Sequence, residues 1–303
     1  MSLPLALAVI LASGIFCQWL AWRFRLPAIV LLASAGLLLG PFTGWIQPQE
    51  DFGGGLSAVI PLFVAVILFE GGLNLELHEL RGAAQVVRRL TSVGVLLAWL
   101  AGSLTAHWVG GLSWPVALLL GAILVVTGPT VIIPLLKHAN INRRTASYLK
   151  WEGIINDPLG VLLAVLVFQY FVYSGNGVAL QSVLGSLVLA VAVAVALGGG
   201  LGYGLGYAFR RSWVPEYLKA PVIIAWVILI NALSNLVQHE SGLLAVTIMG
   251  VVMGNMGLRS IDEMRRFKEY ITILLVSFLF VVLTASLDPD LLTHLNWRLW
   301  LMV

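Results

Sequence analysis

Residues 3–20 read LPLALAVILASGIFCQWL and residues 90–108 read LTSVGVLLAWLAGSLTAHW. Both runs are apolar on every face, and about 20 such residues are what a helix needs to cross the hydrocarbon of a bilayer. A closed barrel would need short strands of alternating polarity instead. The reading is an all-α polytopic membrane protein. Composition agrees: of 303 residues, 60% are hydrophobic and 10% charged, with a mean hydropathy of +0.98. That is more apolar surface than a water-soluble core could bury. The first run has no basic leader and is read as a retained span, not a secretory signal. Cys17 is the single cysteine, so neither an internal disulfide nor a cysteine metal cluster is available.

Apolar runs punctuated by Gly, Pro and charge give ten complete spans, at 3–22, 27–41, 56–77, 90–109, 114–136, 146–173, 178–209, 219–238, 241–256 and 269–287. An eleventh begins near Trp297 and is truncated at Val303. The basic residues fall in every second connection: Arg23 and Arg25; Arg81, Arg88 and Arg89; Lys137, Arg143, Arg144 and Lys150; Arg210, Arg211 and Lys219; Arg259, Arg265, Arg266 and Lys268. Of the 17 Lys and Arg, only Arg298 lies elsewhere. By the positive-inside rule these loops are cytoplasmic and the N-terminus lies outside, in a multi-pass protein of the inner (plasma) membrane. The formal charge of +3 reads as topology, and no nucleic-acid partner is expected.

Away from the span ends, three acids remain within the membrane: Glu70, Glu152 and Asp157. A carboxylate near the bilayer centre costs at least about 2.5–3.5 kcal/mol, so one without a basic partner normally faces a cavity or an ion path. The alternative for each is a protonated acid bonded to a neighbouring helix. At 1.5 Å rise per residue, Asp157 lies about 16 Å from the cytoplasmic end of its span, and Thr127 and Glu70 lie about 20 Å in from the outside. Three helices can therefore bring these groups to one level.

The backbone nearby is irregular. Pro158 cannot donate to the carbonyl of Ile154, and Pro129 and Pro134 release those of Val125 and Thr130, so Gly128, Pro129 and Pro158 are read as helix-break positions. Freed carbonyls inside a bilayer are tolerated only against protein or a water-filled cavity. The sequence Thr127-Gly128-Pro129 within an apolar span reads as a break between two half-helices, the kind of element that aims dipole ends and loose carbonyls at a midplane ion site; a plain proline kink is the other reading. Glu152 and Asn156 are four apart and share one helix face, whereas Asp157 lines up with Gly153 and Gly160. Small residues beside Asp157 predict room for an ion and water, and Glu152 reads as a structural acid.

Taken in order, Leu68-Phe69-Glu70-Gly71-Gly72-Leu73-Asn74-Leu75, Thr127-Gly128-Pro129, Glu152-Gly153-Ile154-Ile155-Asn156-Asp157, the Gly-flanked span Gly242 to Asn255, and Phe267-Lys268-Glu269 resemble the monovalent cation:proton antiporters, in their bacterial sodium/proton exchanger branch. The resemblance runs over nearly the whole chain. It implies an inverted-repeat fold of about thirteen helices working as a homodimer in lipid. Residues 1–303 would then form a C-terminally incomplete exchanger domain, with more helices beyond Val303 and, as in some relatives, a cytoplasmic regulatory domain. It also implies that Asp157 alternately holds a proton or a monovalent cation, that Thr127 and Glu70 help coordinate the ion, and that Asn156 stands where the electrogenic branch has a second aspartate. One exchanging acid suggests electroneutral exchange. Two features depart from the family. Gly128 replaces an aspartate common at the break, and the buried arginine expected opposite Glu152 has no counterpart here.

Exchange needs only competition at one site, because a desolvated carboxyl group favours its protonated form and a nearby cation favours the charged one. No cofactor is expected, only transported Na+ or K+ and H+. A cation channel or ion-sensing protein on the same scaffold is the alternative. An intramembrane enzyme is disfavoured, since His78, His107, His138, His239 and His294 all fall in loops or near span ends. The run Gly198-Gly199-Gly200-Leu201-Gly202-Tyr203-Gly204 lies inside a span and reads as a helix-packing surface, not a phosphate loop.

Overall fold

The computed structural model describes residues 2–75, 77, 84–128, 132, 136, 141–174, 180–238, 241–258 and 261–288, with side chains at all of these except 169, 172–174, 180–184 and 261–269. Among them the only regular structure is helical. The helices are α1 (Leu3–Phe24), α2 (Ala28–Phe42), α3 (Pro48–Phe52), α4 (Gly55–Leu73), α5 (Ala84–Trp108), α6 (Trp114–Leu124), α7 (Arg143–Ser174), α8 (Leu180–Ala194, continued by Gly200–Arg210), α9 (Glu216–Val237), α10 (Ser241–Gly254) and α11 (Ile261–Ala285). Apart from the five-residue α3, each falls on an apolar run marked out in the sequence. Six of them, α1, α4, α5, α7, α8 and α9, are long and apolar enough to cross a membrane. The apolar parts of α2, α6, α10 and α11 are shorter.

Three features were not visible in the runs. Residues 42–55 read as plain connection, yet they contain α3, whose first turn is tied by Gln47 N donating to Asp51 Oδ2 at 3.0 Å. Three helices each pass through a π turn, at Leu38–Phe42, Leu90–Gly94 and Val195–Gly199. Finally, Pro158, grouped in the sequence reading with Gly128 and Pro129 as a helix break, lies inside the continuous helix α7. A proline removes one hydrogen bond, and neighbouring helices hold the rest of α7 in line.

Contacts divide the chain into two units: Met1–Ile67 with Asp262–Leu295, and Leu68–Ile261. In the first, α11 lies on α1 and α2 at small residues. Gly14 faces Ser277, Gly36 faces Thr284 and Val281, and Gly40 faces Ala285. Helices in lipid gain little from the hydrophobic effect and rely on this kind of close approach. Gln18 Nε2 adds a hydrogen bond to Ser277 Oγ at 3.2 Å, and the edges of Phe52 and Phe63 meet Phe278, with ring centroids 6.0 and 5.4 Å apart.

The second unit uses the same device. Gly121 of α6 sits against Ser103 and the Trp99 carbonyl of α5, where Trp99 Nε1 donates to Leu118 O at 2.9 Å. The glycine run of α8 divides by face: Gly198 and Gly202 meet Ala245 and Met249 of α10, while Gly200 and Gly204 have nothing nearby. Half of that run is thus the helix-packing surface expected. Trp45, Trp108, Trp114 and Trp213 are all exposed, and His107 stacks on Trp114 while its Nδ1 bonds Leu112 O at 2.7 Å.

Candidate functional site

The break starts earlier than Thr127. α6 ends at Leu124, Val125 makes a turn and Val126 to Gly128 are non-helical. The last turn closes through Val125 N to Gly121 O and Val126 N to Ile123 O, each 3.2 Å. A proline at position 129 explains the place, because the carbonyl of Val125 has no amide four residues on. Gly128 O accepts from Ile132 N at 3.2 Å. Pro129 and Pro134 lie outside the described residues, as do His78, His138, His239, His294 and the run near Trp297.

The unwound segment lies along α7. A Cβ on Gly153 would come 2.9 Å from Thr127 O, and one on Gly160 would overlap the Val126 side chain. Asp157, four residues after Gly153 and three before Gly160, occupies the same helical face and is half-buried. This corrects one expectation. The glycines beside Asp157 do not leave open room for ion and water, because their space is filled by the backbone and side chains of the break. What they admit is the Thr127 carbonyl and the Val126 side chain, laid against the α7 face that also carries Asp157.

Glu152 and Asn156 do share a face, and Asn156 Nδ2 donates to Glu152 Oε1 at 2.5 Å. The sequence did not reveal that Thr127 Oγ1 donates to the same oxygen at 2.8 Å. One carboxylate oxygen therefore anchors both the break and the residue beside Asp157. Thr127 spends its proton on Glu152 but keeps lone pairs for another partner. Asn156 is 4% exposed, and among the described residues its Oδ1 is buried without a hydrogen bond. Nothing in the sequence pattern could have found this triangle, since a contact across 25 positions leaves no period to read.

Glu70 occupies the last turn of α4, half-buried with one carboxylate oxygen fully enclosed. That turn is locked to α10: Gly72 meets Thr247 O, Gly250 meets Phe69 O and Gly254 meets Leu73 O. Beyond it, Leu75 packs in a buried cluster with Val87, Trp151 and Ile154, flanked by Ile155 and Val251. The chain just after Glu70 thus touches the turn of α7 that carries Glu152. Asn255 stitches this end, with Nδ2 donating to Leu75 O at 2.8 Å and Val251 O at 2.7 Å while Oδ1 accepts from Leu77 N at 2.7 Å. Asn255 closed one of the sequence landmarks, but nothing there marked it as a clamp. Among the described residues no three His, Cys, Asp or Glu side chains converge as a metal-ligand set.

Known proteins share this arrangement of helices. The sodium proton antiporter MjNhaP1 from Methanocaldococcus jannaschii, solved at pH 8, superposes with a TM-score of 0.85 at 25% identity, covering 97% of this chain and 73% of that one. In sequence, the chain is 25% identical to the probable Na(+)/H(+) antiporter 2 of M. jannaschii over 94% of its own length and 69% of that protein's. It is 26% identical to the K(+)/H(+) antiporter NhaP2 of Shewanella sp. (strain ANA-3), over 93% of its own length but only 49% of that protein's. It thus spans about half the length of the Shewanella relatives. The family model described as sodium/hydrogen exchanger, transmembrane, matches residues 8–303, and the chain belongs to that family.

Proposed function

We propose that the protein is a secondary active antiporter that exchanges a monovalent cation, Na+ or K+, for H+ across the membrane. Asp157 alternately holds the proton or the cation, Thr127 and Glu70 supply further oxygens, and Asn156 orients the site beside it. Glu152 is the structural acid that fixes Thr127 and Asn156. The observation that carries this reading is the unwound segment Val126 to Gly128 laid on the α7 face shared by Gly153, Asp157 and Gly160. Broken helices at mid-membrane are where coupling ions bind in transporters. Family membership supports the same conclusion, and the names of the relatives favour antiport over a channel.

Protonated or cation-loaded, the Asp157 site is near neutral and can change sides; empty and charged, it pays the cost of a buried ion. Competition for one carboxylate then couples the two fluxes, one for one and without net charge. We further propose the complete thirteen-helix inverted-repeat fold, of which this chain supplies ten spans and part of an eleventh, as a homodimer in the inner (plasma) membrane with its N-terminus outside. The decisive experiment reconstitutes the transporter in vesicles with a pH dye and challenges it with Na+, K+ and Li+ in turn. Asp157→Asn should abolish cation-driven proton flux, by about a hundredfold or more, the scale on which loss of an essential proton-transferring group is felt. Undiminished flux in a folded variant would overturn the assignment, and flux that scales with membrane voltage would overturn one-for-one exchange.

A further inference from the structure

We propose that Asn255 is a positioning residue for Glu70: it clamps the inner end of α4 to α10 and so sets where the Glu70 carboxylate stands in the transport site. This rests on the reading of Glu70 as a cation-coordinating group. The Asn74 amide donates to Glu70 O at 3.2 Å, and helix α4 stops at Leu73. The Leu75 carbonyl and the Leu77 amide lie past that end, outside its ladder of hydrogen bonds, and both find a partner on the Asn255 side chain. α10 ends in the same place. A side-chain amide offers two donor hydrogens and one acceptor oxygen. Asn255 uses both kinds, holding Leu75 O and Val251 O with Nδ2 and Leu77 N with Oδ1.

The clamp acts on Glu70 because the intervening chain has no slack. Gly72, Gly250 and Gly254 bring α4 and α10 into backbone contact across Phe69 to Leu73, so Glu70 sits on a turn pinned on one side by glycines and at its end by Asn255. Leu75, held by the same amide, packs against Trp151 and Ile154 of α7. Loosening Asn255 therefore leaves the Glu70 turn held by the glycine contacts alone, with its far end released from α10 and able to tilt relative to the α7 turn next to Asp157. An ordinary helix cap would cost stability alone, whereas this one should cost cation affinity.

The test measures cation-driven proton flux of the full-length transporter in proteoliposomes, as apparent KM and maximal rate for Na+ and K+, for Asn255→Ala, Glu70→Gln and the double variant. Asn255→Ala should raise the apparent cation KM about tenfold, the scale of lost anchoring hydrogen bonds, with the maximal rate changed less than about twofold. In the Glu70→Gln background the same change should add less than about twofold, because two residues acting through one site are not additive. Asn255→Asp, which keeps the acceptor for Leu77 N but no donor, should fall between, and it serves if the alanine variant does not fold. An unchanged KM in Asn255→Ala, a loss of maximal rate alone, or an equal effect in both backgrounds would each overturn the proposal. If Glu70→Gln leaves KM unaltered, the reading of Glu70 falls and takes this one with it. If Glu70→Gln weakens cation binding while Asn255→Ala does not couple to it, only the clamp is lost.

Discussion

Two helix ends fall in the larger unit, that of α6 at Leu124 and that of α4 at Leu73, and both lie on a glycine-bearing face of another helix. They differ in what holds the chain beyond. The segment after α6 is held by Glu152, an ionisable side chain that receives Thr127 Oγ1 and Asn156 Nδ2 on one oxygen. The segment after α4 is held by Asn255, a neutral amide that both donates and accepts. The same steric solution, removal of Cβ atoms so that backbones meet, thus carries two chemistries. An acid can gather only donors, so it recruits a hydroxyl and an amide. An amide can stitch carbonyl and amide backbone directly. The acid-held ending lies on the α7 face of Asp157, the residue proposed above to hold proton or cation, and the neutral one ties backbone to backbone.

The steric half of the comparison breaks most visibly. Gly153→Ala places a Cβ 2.9 Å from a backbone oxygen that cannot move aside freely; it should cost about 1–3 kcal/mol, as overpacking does, and lower the unfolding temperature in detergent. Gly254→Ala, whose Cβ would come 2.5 Å from Leu73 O, should cost as much, and unequal costs would mean that one ending is not built on backbone contact.

The polar half is weaker. Glu152→Ala frees both Thr127 and Asn156 and should lose about 1–2 kcal/mol, given the modest worth of hydrogen bonds between helices in membranes. Glu152→Gln keeps an acceptor oxygen and should retain most of that stability in the same thermal assay. A glutamine as damaging as alanine would show that charge, not geometry, holds the break.

Smallest of all, Gly200→Ala on α8 meets nothing within 4 Å. It should be neutral or stabilise by up to about 1 kcal/mol through helix propensity alone. A loss there as large as at Gly153 would mean that something covers this face of α8.

Much of the fold was legible because lipid imposes a simple rule. Each long apolar run must be a helix, and Leu3–Phe24, Gly55–Leu73 and Glu216–Val237 follow it to within four residues at either end. The small helix Pro48–Phe52 and the π turns were hidden, since neither depends on hydrophobicity. At the candidate site, the periodicity of α7 placed Glu152 with Asn156 and Asp157 with the glycines. What fills the glycine face could not be read, because it comes from Val126 and Thr127 on another helix. Pro158 was misread for a related reason: a proline weakens a helix locally, but neighbours decide whether it breaks.

By itself, then, the sequence determined that the chain is a bundle of membrane helices, which acids lie inside it, and the order of the motifs that place it among exchangers. These are properties of single segments in a solvent that rewards apolar surface and penalises charge. Only the tertiary structure decided that Thr127 bonds Glu152, that Gly153 and Gly160 receive the break, and that Asn255 joins α10 to the chain beyond Glu70. Each joins residues far apart in the sequence, and hydrogen bonds and backbone contacts over such separations depend on how helices cross, which no single run of residues specifies.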